Sequence, residues 1–400
     1  MKKILFLSTL SFATNPRLVK EIELALQSGF SVTVVCFEFN NLTKQLNDEI
    51  KSRIVPKINY QGIPGNRSPL LPWLISSLLF SLSNIGLFFF PDNEYLYALR
   101  SNKRSWQLQQ ALKKLKKVFN LVVAHNPGSF YPAMTFAKKN KIHYGIDIED
   151  YHPGESNTPA RTAIYKKLNN IALPDADYIT AASPLILEFS QTDLPVTLKC
   201  KHVLLNYFPS AEFLSPAKKN SEKLLMVWFS QNISFHRGLE ELIPFIKNND
   251  QIELHLFGNC DERFEKQWLL DCGNIQLHAP LPQCELHQQL AHYDIGLAIE
   301  PGKDLNNELA LSNKILAYFQ AGLYILASCT KAQRRFINER PEHGVLTSLL
   351  PDDLRCTIQQ LIDQKQSLRR LSEERFVKAK KFNWENESEK LLDIWKEMCK

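Results

Sequence analysis

The sequence predicts an α/β protein made of two doubly wound, Rossmann-like domains. Short, continuous apolar runs alternate with helix-length segments, the pattern of a parallel sheet covered on both faces. The alternation stops once, at the polar, proline-containing stretch Asn206–Glu222, and then restarts. With 400 residues, 44% hydrophobic and 22% charged, the chain can bury a core in each of two domains. The expected divisions are an N-terminal domain over 1–206, a C-terminal domain over 207–382, and a final helix over 383–400.

In the first domain the strand runs are Lys3–Ser8, Ser31–Phe37, Ile54–Tyr60, Leu121–Ala124, Tyr144–Ile148, Tyr178–Ala182 and His202–Leu205. Helix-length segments lie between them, among them Pro16–Gln27, Tyr95–Val118 and Ser129–Lys139. The second domain repeats the pattern with strands at Leu224–Phe229, Ile252–Phe257, Ile275–Leu277, Ile295–Ile299 and Tyr324–Ser328, then helices from Pro351 to Met398. In open sheets of this kind ligands bind at the carboxyl ends of the strands, so chemistry is sought there.

The segment from Leu309 to Ser328 is the most specific. Ser312 is placed as the N-cap of an apolar-periodic helix, Gly322 as its stop, and a buried strand follows. Ser312, Asn313 and Lys314 thus bring a hydroxyl, an amide and a cation to the positive end of a helix, the chemistry that holds a diphosphate. No Gly-x-Gly-x-x-Gly or Walker pattern is present, so that anion need not belong to NAD or ATP.

Other strand ends add candidates. Ser230, Gln231 and Asn232 follow the strand that opens the second domain, and Arg237 with Gly238 starts the next helix. A guanidinium there suits a phosphate in two-pronged fashion. Gly258, after the next strand, would let backbone approach a ligand. Glu300 and Glu308 flank the loop before the Ser312 helix, where carboxylates accept bonds from sugar or ribose hydroxyls. His125 ends a strand of the first domain and is expected to face the cleft as a proton donor or positioning group. Asn15 and Arg17 follow the first strand, and Arg17 would reach an anionic acceptor. Asp147, Glu149, Asp150, His152 and Glu155 crowd one stretch; alternation along a strand sends such carboxylates to opposite faces, which favours acceptor binding or loop ordering over a metal.

Charge is uneven. The whole chain carries +6, whereas residues 1–117 hold sixteen basic and seven acidic side chains, a net +9, which leaves −3 for the remainder. An anionic surface or a phosphorylated substrate fits that asymmetry. Nucleic acid fits less well, because basic and aromatic residues do not interleave. From Ser68 to Pro91 no side chain is charged, a length near that of a membrane span. Pro69, Pro72, several serines and Asn84 argue instead for a buried or interfacial helix. Arg100, Lys103, Arg104, Lys113, Lys114, Lys116 and Lys117 follow, either as part of a surface resting on an anionic bilayer or as a solvated face beside a core helix. The eight cysteines show no ligand spacing, and the short apolar N-terminal run does not read as a signal peptide; a cytoplasmic location is expected.

Taken together, these residues resemble the retaining GT-B glycosyltransferases of the nucleotide-sugar-dependent family 4 type, over nearly the whole chain. Arg237, Gly238, Leu239 and Glu240 are similar to that family's Lys-Gly step, with arginine for lysine. Ser312, Asn313, Lys314 and Ile315, followed by Ala321 and Gly322, are similar to its Asn-Lys helix, and His125 to its cleft histidine. The resemblance implies a last helix crossing back to the first domain. It implies a nucleoside-diphosphate sugar as co-substrate, with no cofactor and no metal. Arg237 and Lys314 would hold the diphosphate, Glu300 or Glu308 the sugar hydroxyls, and His125 the reacting sugar. Apart from the resemblance, Asn15, Arg17, Asp150, His152 and Glu155 are expected to face a saccharide or lipid-linked acceptor, and the basic N-terminal part with the uncharged Ser68–Pro91 stretch points to cell-surface polysaccharide synthesis at the inner face of the membrane. Two departures stand out. The family's arginine five positions before its lysine is Asn232 here. Glu300 and Glu308 have the family's Glu-x7-Glu spacing, but the register of the Ser312 helix puts those two places at Leu309 and Ala317. The competing readings are a nucleotide-sugar epimerase on the same fold and a non-catalytic scaffold that binds partners or membrane.

Overall fold

The computed structural model describes every residue except 41–42, 116–117, 156–157 and 248. Lys116 and Lys117, counted in the basic run, therefore lie outside the described residues. The chain divides into two compact units, Met1–Leu205 with Ser388–Lys400, and Asn206–Glu387.

The first unit holds a seven-stranded parallel sheet. Its strands are β1 (Lys3–Ser8), β2 (Ser31–Glu38), β3 (Asn59–Pro64), β4 (Leu121–His125), β5 (His143–Ile148), β6 (Tyr178–Ala181) and β7 (Lys201–Val203), in the order β3-β2-β1-β4-β5-β6-β7. Ile4, Leu5, Phe6 and Leu7 of β1 are fully buried, as a central strand covered on both faces requires. The last helix, Trp384–Met398, contributes Trp395 to this core. Its indole N–H donates to the Tyr178 hydroxyl (2.8 Å), and its ring meets Phe6 edge-on at 5.8 Å. Gly145 leaves room for Tyr178; a Cβ there would lie 2.1 Å from the tyrosine ring.

Two expectations for this unit need correction, and one pair of alternatives is decided. Ile54 ends a helix, Lys44–Ile54, instead of starting a strand. Lys51 and Arg53 suit that helix C-terminus, Ile54 supplies its core contact at 1% exposure, and the strand begins only at Asn59, beyond Pro56. Tyr95–Val118 is two helices, Glu94–Ser101 and Arg104–Lys114. Asn102 is extended between them, and its side-chain Oδ1 accepts from the Arg104 amide (3.0 Å). The uncharged stretch forms the helix Leu70–Phe89, and it is not a core helix: Ser76 and Ser83 are its only buried residues.

The second unit holds a six-stranded parallel sheet: β8 (Leu224–Ile233), β9 (Ile252–Cys260), β10 (Ile275–His278), β11 (Ile295–Ala298), β12 (Tyr324–Ser328) and β13 (Gly344–Thr347), in the order β10-β9-β8-β11-β12-β13. Its core joins Leu224, Met226 and Trp228 of β8 to Leu239, Leu242 and Ile243 of the helix that follows. Arg369 fastens the C-terminal helices to the sheet through a two-pronged contact with Asp294 (3.0 and 2.8 Å). In both sheets the strand order runs outward in opposite directions from one pair, β1/β4 in the first and β8/β11 in the second. The crevice at the carboxyl ends of such a pair is where open α/β sheets bind ligands.

Candidate functional site

In the second unit several of the residues expected to hold the donor gather around the β8/β11 switch point. Ser230 lies near the end of β8, where the pairing with β9 is irregular between Phe229 and Asn232. Arg237 is carried on a turn in which His236 (φ 61°) and Gly238 (φ 82°) are both left-handed. Its guanidinium donates to the Ser230 hydroxyl (2.8 Å). Gly238 seats that turn against Ile299, one residue before Glu300: a Cβ there would meet the Ile299 side chain at 2.3 Å. Gly238 thus packs the turn that carries Arg237 against the β11 end.

After β11 comes the helix Asn313–Gln320, with Ser312 at its N-cap and Gly322 (φ 73°) after its end. The Ser312 hydroxyl makes no capping bond, and its oxygen is buried without a partner. The positive end of the helix is therefore not neutralised by its own cap. Asn313 is exposed. Lys314 runs inward over the buried Trp228 ring (5.5 Å) and meets the Glu300 carboxylate at 2.7 Å. The Ser328 hydroxyl fixes the backbone of Glu300 by donating to its carbonyl (2.7 Å) and accepting from its amide (2.9 Å). Trp228 and Ser328, both apolar-run neighbours in the sequence, were not expected to take part.

Some expected donor residues sit differently. Gln231 and Asn232 lie inside β8, exposed, since the strand runs on to Ile233. Gly258 (φ 148°) makes its close approach to protein and not to a ligand: a Cβ would lie 2.2 Å from the Ser230 carbonyl oxygen. Glu308 belongs to the short helix Leu305–Leu309, and one of its oxygens accepts from the Lys331 amide (3.1 Å). Gly302 beside it takes a left-handed φ of 62°, which favours glycine, and lies close to the other Glu308 oxygen. Glu300, in contact with Lys314, and Glu308, bound to the start of the helix Lys331–Asn338, thus have separate partners.

The first unit contains the larger correction. His125, expected to face a cleft, is 1% exposed. Its Nε2 is 3.2 Å from Glu21 and its Nδ1 3.5 Å from Asp147. Arg17, expected to reach an acceptor, is equally buried; its Nε lies 2.7 Å from Asp147 and its Nη1 donates to the Leu204 carbonyl (2.6 Å). Burial alone would lower the His125 pKa, but Glu21 and Asp147 outweigh it and raise the pKa to about 10. Burial would likewise raise that of Asp147, but Arg17 and then His125 hold the carboxyl below its ordinary range. Two cations and two anions therefore neutralise one another inside the unit. Glu21, His125 and Asp147 could each offer one atom within 4.8 Å of the others, but Arg17 and the protonated imidazole already supply the positive charge an ion would bring. Asn15 is fully buried and caps the Pro16–Gln27 helix by accepting from the Leu18 amide (3.0 Å).

Beyond β5, Asp150 begins a turn whose His152 pairs with Glu155 (2.9 Å). Glu149 is pushed up to about 7, by burial first and then by Asp150 and Asp147. The β1/β4 switch point itself is lined by Thr9, Phe39 and Asn126, which the sequence did not single out, and by Arg104 of the basic run. The Asn126 side chain (φ 65°) accepts from the amide and hydroxyl of Thr9 (both 2.9 Å), and Arg104 lies over the Phe39 ring at 4.5 Å. Asn126 directly follows the apolar run that ends at His125, but its left-handed φ is visible only in the structure.

No family model matches the chain, and no curated protein does. Solved structures do. The Anabaena protein Alr3699/HepE, crystallised with UDP and glucose, superposes with a TM-score of 0.67 at 14% identity, over 99% of this chain and 100% of that one. Sucrose-phosphate synthase from Thermosynechococcus elongatus gives 0.67 at 12% identity, over 100% and 99%. The fold is GT-B. A putative UDP-N-acetylglucosamine 2-epimerase from Listeria monocytogenes is a weaker likeness, with a TM-score of 0.51 at 12% identity over 93% and 90%.

Proposed function

We propose that this GT-B protein is a retaining glycosyltransferase. It moves a sugar from a nucleoside-diphosphate sugar to a hydroxyl of a glycan or lipid-linked acceptor, in cell-surface polysaccharide synthesis on the cytoplasmic face of the membrane. The second unit takes the donor, the first unit takes the acceptor, and the last helix returns to the first. One observation carries the reading. At the β8/β11 switch point Arg237, Lys314 and an uncapped helix N-terminus lie at the ends of the two strands where an α/β sheet binds ligands. The glycosyltransferase-like structures crystallised with UDP support the same reading.

The chemistry is charge stabilisation. The diphosphate leaves as an anion, and two fixed cations with helix amides stabilise it without reorganising. In the resting chain Glu300 is the counter-ion of Lys314. An entering diphosphate takes over that cation and frees Glu300 to accept bonds from donor hydroxyls, with Glu308 as the second candidate. Asp150, His152 and Glu155 remain the acceptor-side candidates.

Thermal shift against UDP-, GDP-, ADP- and CMP-sugars tests the proposal. One nucleotide class is expected to stabilise the protein, by about 2.7 kcal/mol at a hundredfold excess over Kd. That stabilisation should disappear in Arg237→Ala and Lys314→Ala. No response to any nucleotide sugar would overturn the reading. The epimerase-like structure supports a second reading, which one reaction separates: donor incubated alone gives a new sugar epimer only if the protein is an epimerase.

A further inference from the structure

Nine large apolar side chains between Leu70 and Phe90 are 46–82% exposed, out of nineteen such exposed residues among those described. Leu71, Leu74, Leu78, Leu82, Ile85 and Phe89 recur at steps of three and four, so they form one stripe along the helix Leu70–Phe89. The other face is docked on its own unit. Ser76 and Ser83 are buried there, and Gly86 lies close enough to Leu96 that a Cβ would stand 2.9 Å from it. A continuous apolar stripe of this length, left uncovered, marks an interaction surface.

The surrounding charge says what covers it. No charged residue occurs on the helix itself. Arg67 and Lys103 both lie over the Trp73 ring (5.2 and 5.5 Å), and Arg100 over the Phe80 ring (4.7 Å). Three cations thus flank the side of the helix away from the stripe, while the only nearby acids, Asp92 and Glu94, come after its end. Apolar side chains facing outward with a cationic flank behind them match the acyl-chain and headgroup layers of an anionic bilayer. We propose that the helix Leu70–Phe89 docks the protein on an anionic phospholipid surface, lying in the membrane plane with its leucine–phenylalanine stripe in the acyl boundary and Arg67, Arg100 and Lys103 at the headgroups. It does not cross the bilayer, because its serine-bearing face is packed on protein. The inference rests on the membrane placement proposed above and not on the donor chemistry, so vesicle binding without any sugar nucleotide separates the two.

The test is sedimentation of the full chain with vesicles of 30% phosphatidylglycerol in phosphatidylcholine, against phosphatidylcholine alone. At least tenfold stronger partition onto the anionic vesicles is expected, weakening with salt. Leu78→Glu/Leu82→Glu should lower it at least tenfold with an unchanged Tm, since both side chains are solvent-facing. Arg67→Gln/Arg100→Gln/Lys103→Gln should bring it down to the level of neutral vesicles. Four results would overturn the proposal: no partition of the wild type, partition unchanged in the leucine variant, membranes of expressing cells retaining the protein through an alkaline carbonate wash, or a dimer that the leucine variant breaks while vesicles are ignored.

Discussion

Replacing His125 by alanine removes one of two cations from a buried group of four charges. Glu21 and Asp147 would then share Arg17, whose Nε lies 2.7 Å from Asp147 but 3.9 Å from Glu21. Glu21 would lose its nearer cation, the imidazole at 3.2 Å. Breaking a buried ion pair by removing one partner costs about 3–5 kcal/mol, because the remaining charge is left uncompensated. For a unit of this size each kcal/mol is worth roughly 2–4 °C, so a fall in Tm of about 10 °C is expected at pH 7. The sign of the pH dependence follows from the histidine. Its pKa rises from an unfolded 6.5 to about 10 in the folded chain. Its contribution is therefore complete below about pH 6.5 and is lost as pH rises through 10, a span of roughly 4–5 kcal/mol. Thermal unfolding of wild type and variant between pH 6 and 10.5 measures this: the two curves should converge at the alkaline end. Glu21→Gln/His125→Ala should recover much of the loss, since it leaves Arg17 and Asp147 as a neutral pair. If His125→Ala keeps its Tm within about 1 °C yet loses turnover, the buried-charge reasoning is refuted and the histidine belongs to the reacting centre.

Other outcomes follow from the same structure. Glu149, with a folded pKa of about 7, is destabilising when charged; stability falls as pH rises from 4.5 through 7, so Glu149→Gln should raise Tm at pH 8 and leave it unchanged at pH 4.5, by roughly 3 kcal/mol at most. Gly258→Ala combines a φ of 148° with a Cβ 2.2 Å from a carbonyl oxygen, and should cost at least about 2 kcal/mol in denaturant unfolding. Trp395→Ala should cost about 3–5 kcal/mol and expose 388–400 to protease, while an unchanged digestion pattern would contradict its place in the first core. Glu300→Gln releases Lys314 from its counter-ion; UDP itself should bind more tightly while the whole sugar nucleotide turns over more slowly.

The central strands of both sheets were legible in the sequence because they are short, apolar runs alternating with helix-length segments, whereas the edge strand β13, only half-buried in its middle, was not read. The Ser312 helix was legible for a local reason too: its N-cap, its apolar period and its terminating glycine lie within eleven residues. Burial depth at strand ends was not legible. His125 looks the same in sequence whether it meets solvent or Glu21, and Glu21 comes from a helix that sequence reasoning places only by its period. The same holds for Gly258, whose neighbour is a bulged carbonyl on the adjacent strand. The helix Leu70–Phe89 was visible as an uncharged run. Only packing could decide which of its faces, if any, the fold would cover.

The central claim is that a diphosphate seats between Arg237 and the Ser312 helix. A crystal structure of the protein with UDP tests it directly. The account predicts phosphate oxygens within hydrogen-bonding distance of Lys314 Nζ, the Arg237 guanidinium and the first amides of the Asn313–Gln320 helix, with the Lys314–Glu300 contact of 2.7 Å lengthened or broken. UDP bound elsewhere, or bound with that ion pair intact and Arg237 still turned to Ser230, would contradict it.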